Sequence, residues 1–170
     1  MSLASRISLA VNANYTAALD LATSTNQLLK TYEAVLATGT GAGQADKIFH
    51  DTRTLAASGT EDLDLAGVLT DAFGASITFV KIKALIVSAA AGNTNNVLVG
   101  GVAAGLSSII TPQTTGIVVV RPGATFAVFA GQADSAGYAV TATTADLLHV
   151  ANSSSGTSVT YDVIVIGTSA

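Results

Sequence analysis

Residues 77–87 read Ile-Thr-Phe-Val-Lys-Ile-Lys-Ala-Leu-Ile-Val, and this stretch decides the fold class. Because successive side chains of a strand point to opposite faces, it is the longest β-type run in which the two faces can be told apart. The even-numbered positions from Val80 to Ile86 are all apolar, whereas the odd-numbered positions include Lys81 and Lys83. The pattern predicts a central strand with one purely apolar face and one mixed face.

The chain after residue 47 repeats this kind of segment. About eight or nine short strand-like runs occur from Ile48 onward, separated by turn residues such as Gly, Asn, Ser and Pro. Residues 121–124 read Arg-Pro-Gly-Ala, which suits a type II turn because Pro presets φ and Gly permits the positive φ at the next position. We therefore predict an all-β fold, an antiparallel β-sandwich of jelly-roll-like type rather than a parallel α/β sheet.

A glycine-rich connection at residues 37–46 separates the N-terminal 36 residues from the remainder of the chain. Residues 5–11 alternate as a short strand does. Residues 15–21 and 28–36 fit either a short helix or an extended segment, and we favour the extended one. The chain thus divides into an extended N-terminal arm (1–36), a flexible linker (37–46) and a β-sandwich domain (47–170).

The arm carries apolar side chains that a partner could cover. Its candidate partner-contact residues are Leu3, Ile7, Leu9 and Val11. In symmetric assemblies an extended segment can join a neighbour's sheet through backbone hydrogen bonds. We expect the arm to contact a neighbouring subunit; the alternative is an N-terminal strand within the sheet of its own chain.

Charged residues make up only 11% of the chain, compared with roughly 25% in typical soluble domains. After Lys83 only four remain, namely Arg121, Asp134, Asp146 and Asp162. A surface with so little charge tends to associate, so we expect a homo-oligomer, with a trimer favoured. The alternative is a monomer whose surface consists of uncharged polar residues.

The charge pattern also excludes several classes of partner. The net charge is −4 and the seven Lys and Arg residues are scattered, so no basic face is available for direct nucleic-acid binding.

The N-terminus lacks the pattern of a secretory signal, and the apolar windows are too short or too broken to span a bilayer. Without cysteine there are no disulfides or thiolate metal sites. We expect a protein that stays in the cytoplasm or leaves it as part of a particle.

Residue types that often carry chemistry are sparse. His50 and His149 have no close set of ligand-type neighbours, and we assign both to structural roles. The one acidic cluster comprises Glu61, Asp62 and Asp64, with Asp71 nearby. Its spacing lacks the loop of a calcium site, so we interpret it as an exposed strand face.

Enzyme signatures are also missing. A glycosidase pairs two carboxylates across a cleft usually lined by aromatics, yet the chain has no Trp and only 5% aromatic residues. No nucleophile elbow occurs, and the glycines at 39–43 are not followed by the Lys-Ser/Thr of a phosphate-binding loop. The sequence therefore predicts no catalytic residues, no cofactor and no metal, with a carbohydrate-active enzyme as a remote alternative.

Several segments of the sequence resemble small virion proteins of tailed bacteriophages. The resemblance covers about three quarters of the chain, from Gln44 onward, and is carried by residues 44–55, 61–67, 69–74, 79–87, 138–142 and 160–168. It implies a structural component of the particle, such as a decoration or cement protein bound to the capsid, or a head or tail accessory subunit. The family offers no catalytic or binding motif to carry over to these residues.

The resemblance defines the functional expectation. It implies a capsid decoration or cement protein of the virion, assembled in the host cytoplasm, with the major capsid protein or another virion protein as partner. The arm and the low charge suit a subunit whose role is burial against copies. A fibre or receptor-binding module is the alternative, and for it we expect exposed aromatic residues on loops, of which Phe73 and Tyr138 are the candidates.

Overall fold

The regular secondary structure of the protein, over the residues that the structure describes, consists of strands. A computed structural model describes residues 2–67 and 69–170, and no helix occurs within them. Fourteen strands follow one another: β1 (Ser5–Ala18), β2 (Thr23–Thr38), β3 (Gln44–Ala45), β4 (Lys47–Leu55), β5 (Thr60–Asp64), β6 (Leu69–Thr70), β7 (Ser76–Ile77), β8 (Lys81–Ala89), β9 (Val97–Gly100), β10 (Ile117–Val120), β11 (Thr125–Phe129), β12 (Tyr138–Ala139), β13 (Leu147–Asn152) and β14 (Val159–Thr168). The predicted all-β class is confirmed.

Two antiparallel sheets form the body. The five-stranded sheet has the order β11-β8-β14-β4 with β12 also beside β8, and the four-stranded sheet has the order β10-β9-β13-β5. The N-terminal strands form a third sheet, β1-β2-β3, in which only the short β2–β3 pair is parallel. Strand β8 lies between β11 and β14, so residues 81–87 are an interior strand, as predicted, whereas Ile77 belongs to β7 and residues 78–80 lie between the two strands.

Both body sheets contribute to one hydrophobic core. Leu85 and Val87 of β8 and Val163 of β14 come from the five-stranded sheet, while Val99 of β9 and Val150 of β13 come from the four-stranded sheet. All five are fully buried. Removal of this apolar surface from water is the main favourable term in folding, at about 25 cal/mol per Å².

The predicted division of the two faces of β8 is wrong. The core takes Ile82 from the even positions but Leu85 and Val87 from the odd ones, and Lys83 is buried. The cause is a bulge opposite β14, where the pairing moves from Ile166–Ala84 to Gly167–Ile82 and leaves Lys83 as an extra residue. Side-chain alternation changes phase at such a bulge.

Glycine is required at the bulge. A Cβ atom on Gly167 would lie 2.2 Å from the carbonyl oxygen of Lys81 and 2.8 Å from the ring of Phe79. The backbone of β14 lies so close to Phe79 and Lys81 that only glycine, which has no side chain, fits at position 167.

The turn at residues 121–124 connects the two body sheets. Ala124 N donates to the carbonyl oxygen of Arg121 at 2.8 Å, and Gly123 has a φ of +75°. Both features are those of the predicted type II turn. Since β10 belongs to the four-stranded sheet and β11 to the five-stranded one, the turn carries the chain from one sheet to the other.

The predicted linker is a hydrogen-bonded loop in the structure. Strand β2 continues to Thr38, Ala37 N donates to the carbonyl oxygen of Gly43 at 2.9 Å, and Ala45 is fully buried. These contacts attach the end of the N-terminal hairpin to the body. The division into arm, linker and sandwich domain remains a prediction, and the residues of the linker make defined contacts.

Candidate interaction surface

Strands β1 and β2 form a long hairpin that extends away from the body. Fourteen residue pairs run in unbroken register from Ser5–Leu36 at the base to Ala18–Thr23 near the tip. Every residue from 8 to 33 is exposed. With about 3.4 Å per residue in an antiparallel strand, the exposed part of β1 is about 35 Å long.

The two faces of this hairpin differ in polarity. Residues directly opposite each other in an antiparallel pair share a face. The first face, called here the apolar face, consists beyond the base of Leu9, Val11, Ala13, Tyr15, Ala17, Ser24, Asn26, Leu28, Lys30 and Tyr32. The second, called here the polar face, consists mainly of Ser, Thr, Asn, Gln and Glu side chains, with Leu29 and Val35 as its large apolar members. The hairpin is therefore amphipathic, although both faces are exposed in the single chain.

The base of the apolar face is covered by the body. Ile7 and Leu36 form a second buried cluster with Ala45 of β3, Ala84 of β8 and Ile166 of β14. This cluster lies on the side of the five-stranded sheet turned away from the core, because Ala84 and Ile166 belong to it and not to the main core. The apolar face thus begins at a buried base and continues to an exposed tip, with Ser24, Asn26 and Lys30 as polar members.

Polar contacts also hold the base. Leu3 N donates to Thr38 Oγ1 at 2.9 Å, and Thr38 Oγ1 donates back to the carbonyl oxygen of Leu3 at 2.7 Å. On the polar face, Arg6 Nη2 and Glu33 Oε2 form an ion pair at 2.7 Å. The hairpin is therefore anchored at one end by both apolar and polar contacts.

The four predicted contact residues occupy two different environments. Ile7 is buried within its own chain, and the half-buried Leu3 packs against the same cluster. Leu9 and Val11 are exposed on the apolar face, at 55% and 40%. Leu9 and Val11 are thus accessible to a partner, whereas Ile7 is already buried in the contact that attaches the hairpin to the body.

Sequence reasoning missed the half of this surface that β2 supplies. Leu28 lies opposite Ala13, and Tyr32 lies opposite Leu9. The signal was available, since the even positions from Leu28 to Leu36 are Leu, Lys, Tyr, Ala and Leu. Helical spacing fits the same residues, so even the favoured extended interpretation does not show from the sequence that this segment pairs with β1.

A second exposed apolar surface lies on the four-stranded sheet. Ile117 and Val119 of β10 are 50% and 54% exposed and point away from the core. Val119 lies opposite Leu98 of β9, which in turn lies opposite Ala151 of β13, and both of these are half-buried. We call these four residues the β10 strip. Its neighbours on the same face include the carboxylates of Asp62 and Asp64, because β5 pairs with β13.

The predicted acidic cluster is divided among separate structural tasks. Asp62 Oδ1 lies 2.6 Å from His149 Nδ1 on the neighbouring strand. Asp64 Oδ1 accepts from Ala66 N at 2.9 Å, and Asp71 Oδ1 accepts from two backbone N–H groups of its own turn at 2.9 Å each. Across residues 2–67 and 69–170 no group of three or more metal-ligating side chains comes together.

Glu61 is the acidic residue that joins the two body sheets. Its Oε1 accepts from the buried Tyr161 hydroxyl of β14 at 2.7 Å, and its Oε2 accepts from Arg53 Nε of β4 at 2.8 Å. Burial, followed by the hydrogen bond to Glu61, raises the pKa of Tyr161 well above its usual value. The hydrogen bond to Glu61 likewise raises the pKa of Arg53. Tyr161 therefore stays neutral and Arg53 stays charged, as a structural link requires.

Lys83 is the buried cation of β8. Its Nζ donates to the carbonyl oxygen of Asp134 at 2.7 Å. Burial lowers the pKa of Lys83, because desolvation disfavours the charged form. The Asp134 carboxylate accepts from Ala136 N and Gly137 N, and these bonds hold the pKa of Asp134 below its usual value. The loop that contains Asp134 thus covers a lysine left inside by the bulge.

A groove of about 370 Å³ lies between the N-terminus and the turn at residues 71–74. Leu3, Ile48 and Ile77 contribute apolar lining. Two carboxylates also line the groove, and both accept hydrogen bonds from backbone groups. Asp71 Oδ1 accepts from Ala75 N in its own turn, and Asp46 Oδ1 accepts from Ser169 N at 2.9 Å. The lining of the groove is therefore mixed, with apolar and polar side chains in similar number.

Comparisons with family models, curated proteins and solved structures found no match for this chain. The resemblance to phage virion proteins therefore stays an expectation from the sequence. Within the part of the chain that the structure describes, no helix is long and apolar enough to cross a membrane. The structure thus offers two apolar surfaces, the hairpin and the β10 strip, as candidate sites of interaction.

Proposed function

We propose that this chain is a structural protein of a tailed-phage virion, and that it decorates and cements the capsid shell through contacts between subunits. Its partners would be copies of itself, arranged as a trimer, and the major capsid protein. The observation that supports the proposal best is the hairpin, whose residues 8–33 are all exposed and whose apolar face has no cover beyond its base. Exposed apolar surface of this extent is typical of an interaction site.

The body suits such a role as a rigid carrier. We propose that its two antiparallel sheets pack face to face as a jelly-roll sandwich, since both contribute side chains to one core. A rigid body that presents a long hairpin can reach from one subunit to the next. The low charge of the second half of the chain fits a surface that is largely covered in the particle.

The physical mechanism of cementing is mass action. A protein that binds the assembled shell but not the free capsid subunits shifts the equilibrium toward the shell. Many identical weak contacts act together, because each bound copy raises the effective concentration of the next contact. No catalytic step is needed.

The proposal can be tested with empty capsid shells of the phage that carries the gene. The full chain should sediment with the shells and raise the temperature at which they come apart. A hairpin-shortened variant, in which residues 8–33 are replaced by an Asn-Gly turn, keeps Ile7, Ala34 and Leu36 at the base and should lose both effects. Urea unfolding of this variant serves as the check that its body remains folded. A full chain that neither sediments with shells nor stabilises them contradicts the proposal.

One observation favours a second candidate, a fibre or receptor-binding module. Phe73 is 82% exposed on the turn beside the 370 Å³ groove. An exposed aromatic residue on a loop is typical of a binding surface. Tyr138, the other aromatic candidate, packs against the core instead. Binding of the purified chain to host cells, abolished by Phe73→Ala and kept in the hairpin-shortened variant, would favour this candidate over the first.

A further inference from the structure

We propose that the apolar face of the hairpin packs on the β10 strip of a second copy of this chain, so that copies join head to tail. This inference deepens the assembly role proposed above and rests on it. The hairpin is the donor surface, and the β10 strip is the acceptor surface. Each copy carries one donor surface and one acceptor surface.

The hairpin needs a partner to hold its shape. A two-stranded hairpin alone in water is at best marginally stable, and independent stability requires a third strand or packing on another element. Here the body covers only the base, while Tyr15 and Leu28 farther along the apolar face are 80% and 51% exposed. A flat surface that covers this face would supply the missing packing.

The β10 strip has the matching form. Its side chains come from three adjacent strands, β10, β9 and β13, so the strip is a nearly flat sheet surface at least as wide as the two-stranded hairpin. Two sheet faces pack about 10 Å apart with interlocking side chains. The aliphatic residues Leu9 and Leu28 of the donor would lie against Ile117 and Val119 of the acceptor.

Charge favours the same pairing. Lys30 is the one charged residue on the apolar face of the hairpin, and its Nζ lies 5.6 Å from the centre of the Tyr32 ring. On the acceptor side, Asp62 and Asp64 of β5 lie on the same face as the β10 strip, farther along β5 than the Thr60 that pairs with Ala151, and Asp62 is also in contact with His149. A donor with one positive charge and an acceptor with negative charge at its border attract each other, although the chain as a whole carries a charge of −4.

The area of one such contact is small. An exposed length of about 35 Å and a width of about 10 Å give a footprint of about 350 Å² on one face. One contact buries one donor and one acceptor footprint, about 700 Å² in all, compared with about 1,600 Å² in standard interfaces, so a single contact is weak and a closed ring, in which each copy makes two contacts, is what makes the assembly stable. Head-to-tail contacts close into rings when the rotation between copies allows it, and a trimer is one such ring.

Adjacent leucines on opposite faces provide a matched test. Leu28→Ser removes apolar surface from the donor, and Leu29→Ser makes the same change on the polar face. Light scattering over a range of concentrations measures the mass of each. We expect the full chain to form a defined oligomer, Leu28→Ser to raise the dissociation constant at least about 30-fold, and Leu29→Ser to leave it within about 3-fold.

The acceptor is tested by Val119→Ser, which should weaken association about as much as Leu28→Ser does. The two weakened variants are then mixed. Leu28→Ser retains a sound acceptor and Val119→Ser retains a sound donor, so the mixture should form a one-to-one heterodimer that neither variant forms alone. Lys30→Glu gives an independent reading, because it should weaken association by charge repulsion, most strongly at low salt.

Three outcomes overturn the inference. A full chain that is monomeric at all concentrations excludes a second copy as the occupant, and hairpin-dependent binding of that monomer to capsid shells would identify a capsid protein instead. Dissociation by Leu28→Ser but not by Val119→Ser excludes the β10 strip, as does a mixture without heterodimer. The proposed function is tested separately, since an oligomer that fails to bind shells contradicts the function and leaves this inference standing.

Discussion

The hairpin and the body pair their backbone hydrogen-bonding groups in the same way, but they differ in how far their side chains are buried. In both regions antiparallel ladders pair the N–H and C=O groups. In the body these ladders enclose a core, whereas in the hairpin the side chains of residues 8–33 all remain in solvent. Since burial of apolar surface provides most of the stability, the body is expected to be stable by itself and the hairpin only with a partner.

The largest test of this difference uses one substitution in both regions. Leu85→Ala in the core should lower the free energy of unfolding by about 2–5 kcal/mol, because it removes buried methyl groups and leaves a cavity. Leu29→Ala on the polar face of the hairpin should change it by less than about 0.5 kcal/mol. Urea unfolding at a concentration that keeps the protein monomeric measures both values. Equal effects would show that the hairpin is as self-supporting as the body.

A second test compares two tyrosines. Tyr161→Phe should lower the free energy of unfolding by about 1–2 kcal/mol, because Glu61 Oε1 loses a hydrogen bond in a part-buried site between the sheets. Tyr32→Phe on the hairpin should be nearly neutral, since water replaces the partner of an exposed hydroxyl. Thermal unfolding of the two variants beside the unchanged chain provides the measurement, and a neutral Tyr161→Phe would contradict the role assigned to Glu61.

The third test compares two arginine–glutamate pairs by double-mutant cycles. We expect a coupling free energy of about 1.5 kcal/mol for Arg53 and Glu61, because Arg53 donates two hydrogen bonds, from Nε and Nη2, to Glu61 Oε2 between the sheets. For Arg6 and Glu33, exposed on the hairpin, about 0.5 kcal/mol is expected. Substitution of each residue by Ala, singly and together, gives the coupling. A larger coupling in the hairpin pair would reverse the proposed contrast.

The smallest expected effect is a pH dependence in the body. The pKa of Asp134 is lower in the folded state than its ordinary 3.8, so its ionisation stabilises the fold above that pH, and the contribution disappears as the pH falls through the folded-state pKa. Asp134→Asn should therefore lower the urea midpoint near pH 5, and this effect should shrink as the pH falls through the folded-state pKa and the carboxyl group of Asp134 becomes protonated. Ser135→Ala, in the same loop, is the control. A difference between Asp134→Asn and the unchanged chain that does not vary with pH would contradict this assignment.

Alternation together with the turn residues was enough to find most strands. In residues 60–65, Leu63 and Leu65 alternate with Asp62 and Asp64, and residues 60–64 form strand β5. The same signal placed Leu9 and Val11 on one side of β1. The turn between β1 and β2, by contrast, reads Leu-Asp-Leu-Ala, without the Gly or Asn that usually marks a hairpin. The sequence therefore did not show that the two segments form one hairpin.

The sequence by itself determined that this protein consists of strands, that it lacks charge over its second half, and that its N-terminal segment carries apolar side chains in alternation. These are local properties, because they depend on the period of the side chains and on composition. The tertiary structure alone decided which of those side chains are buried against the rest of the chain and which remain exposed. Ile7 is buried on the body while Leu9, two residues farther on, is exposed, and Lys83 is buried because of a bulge opposite Gly167. Such outcomes depend on the register between distant strands, which no single segment encodes.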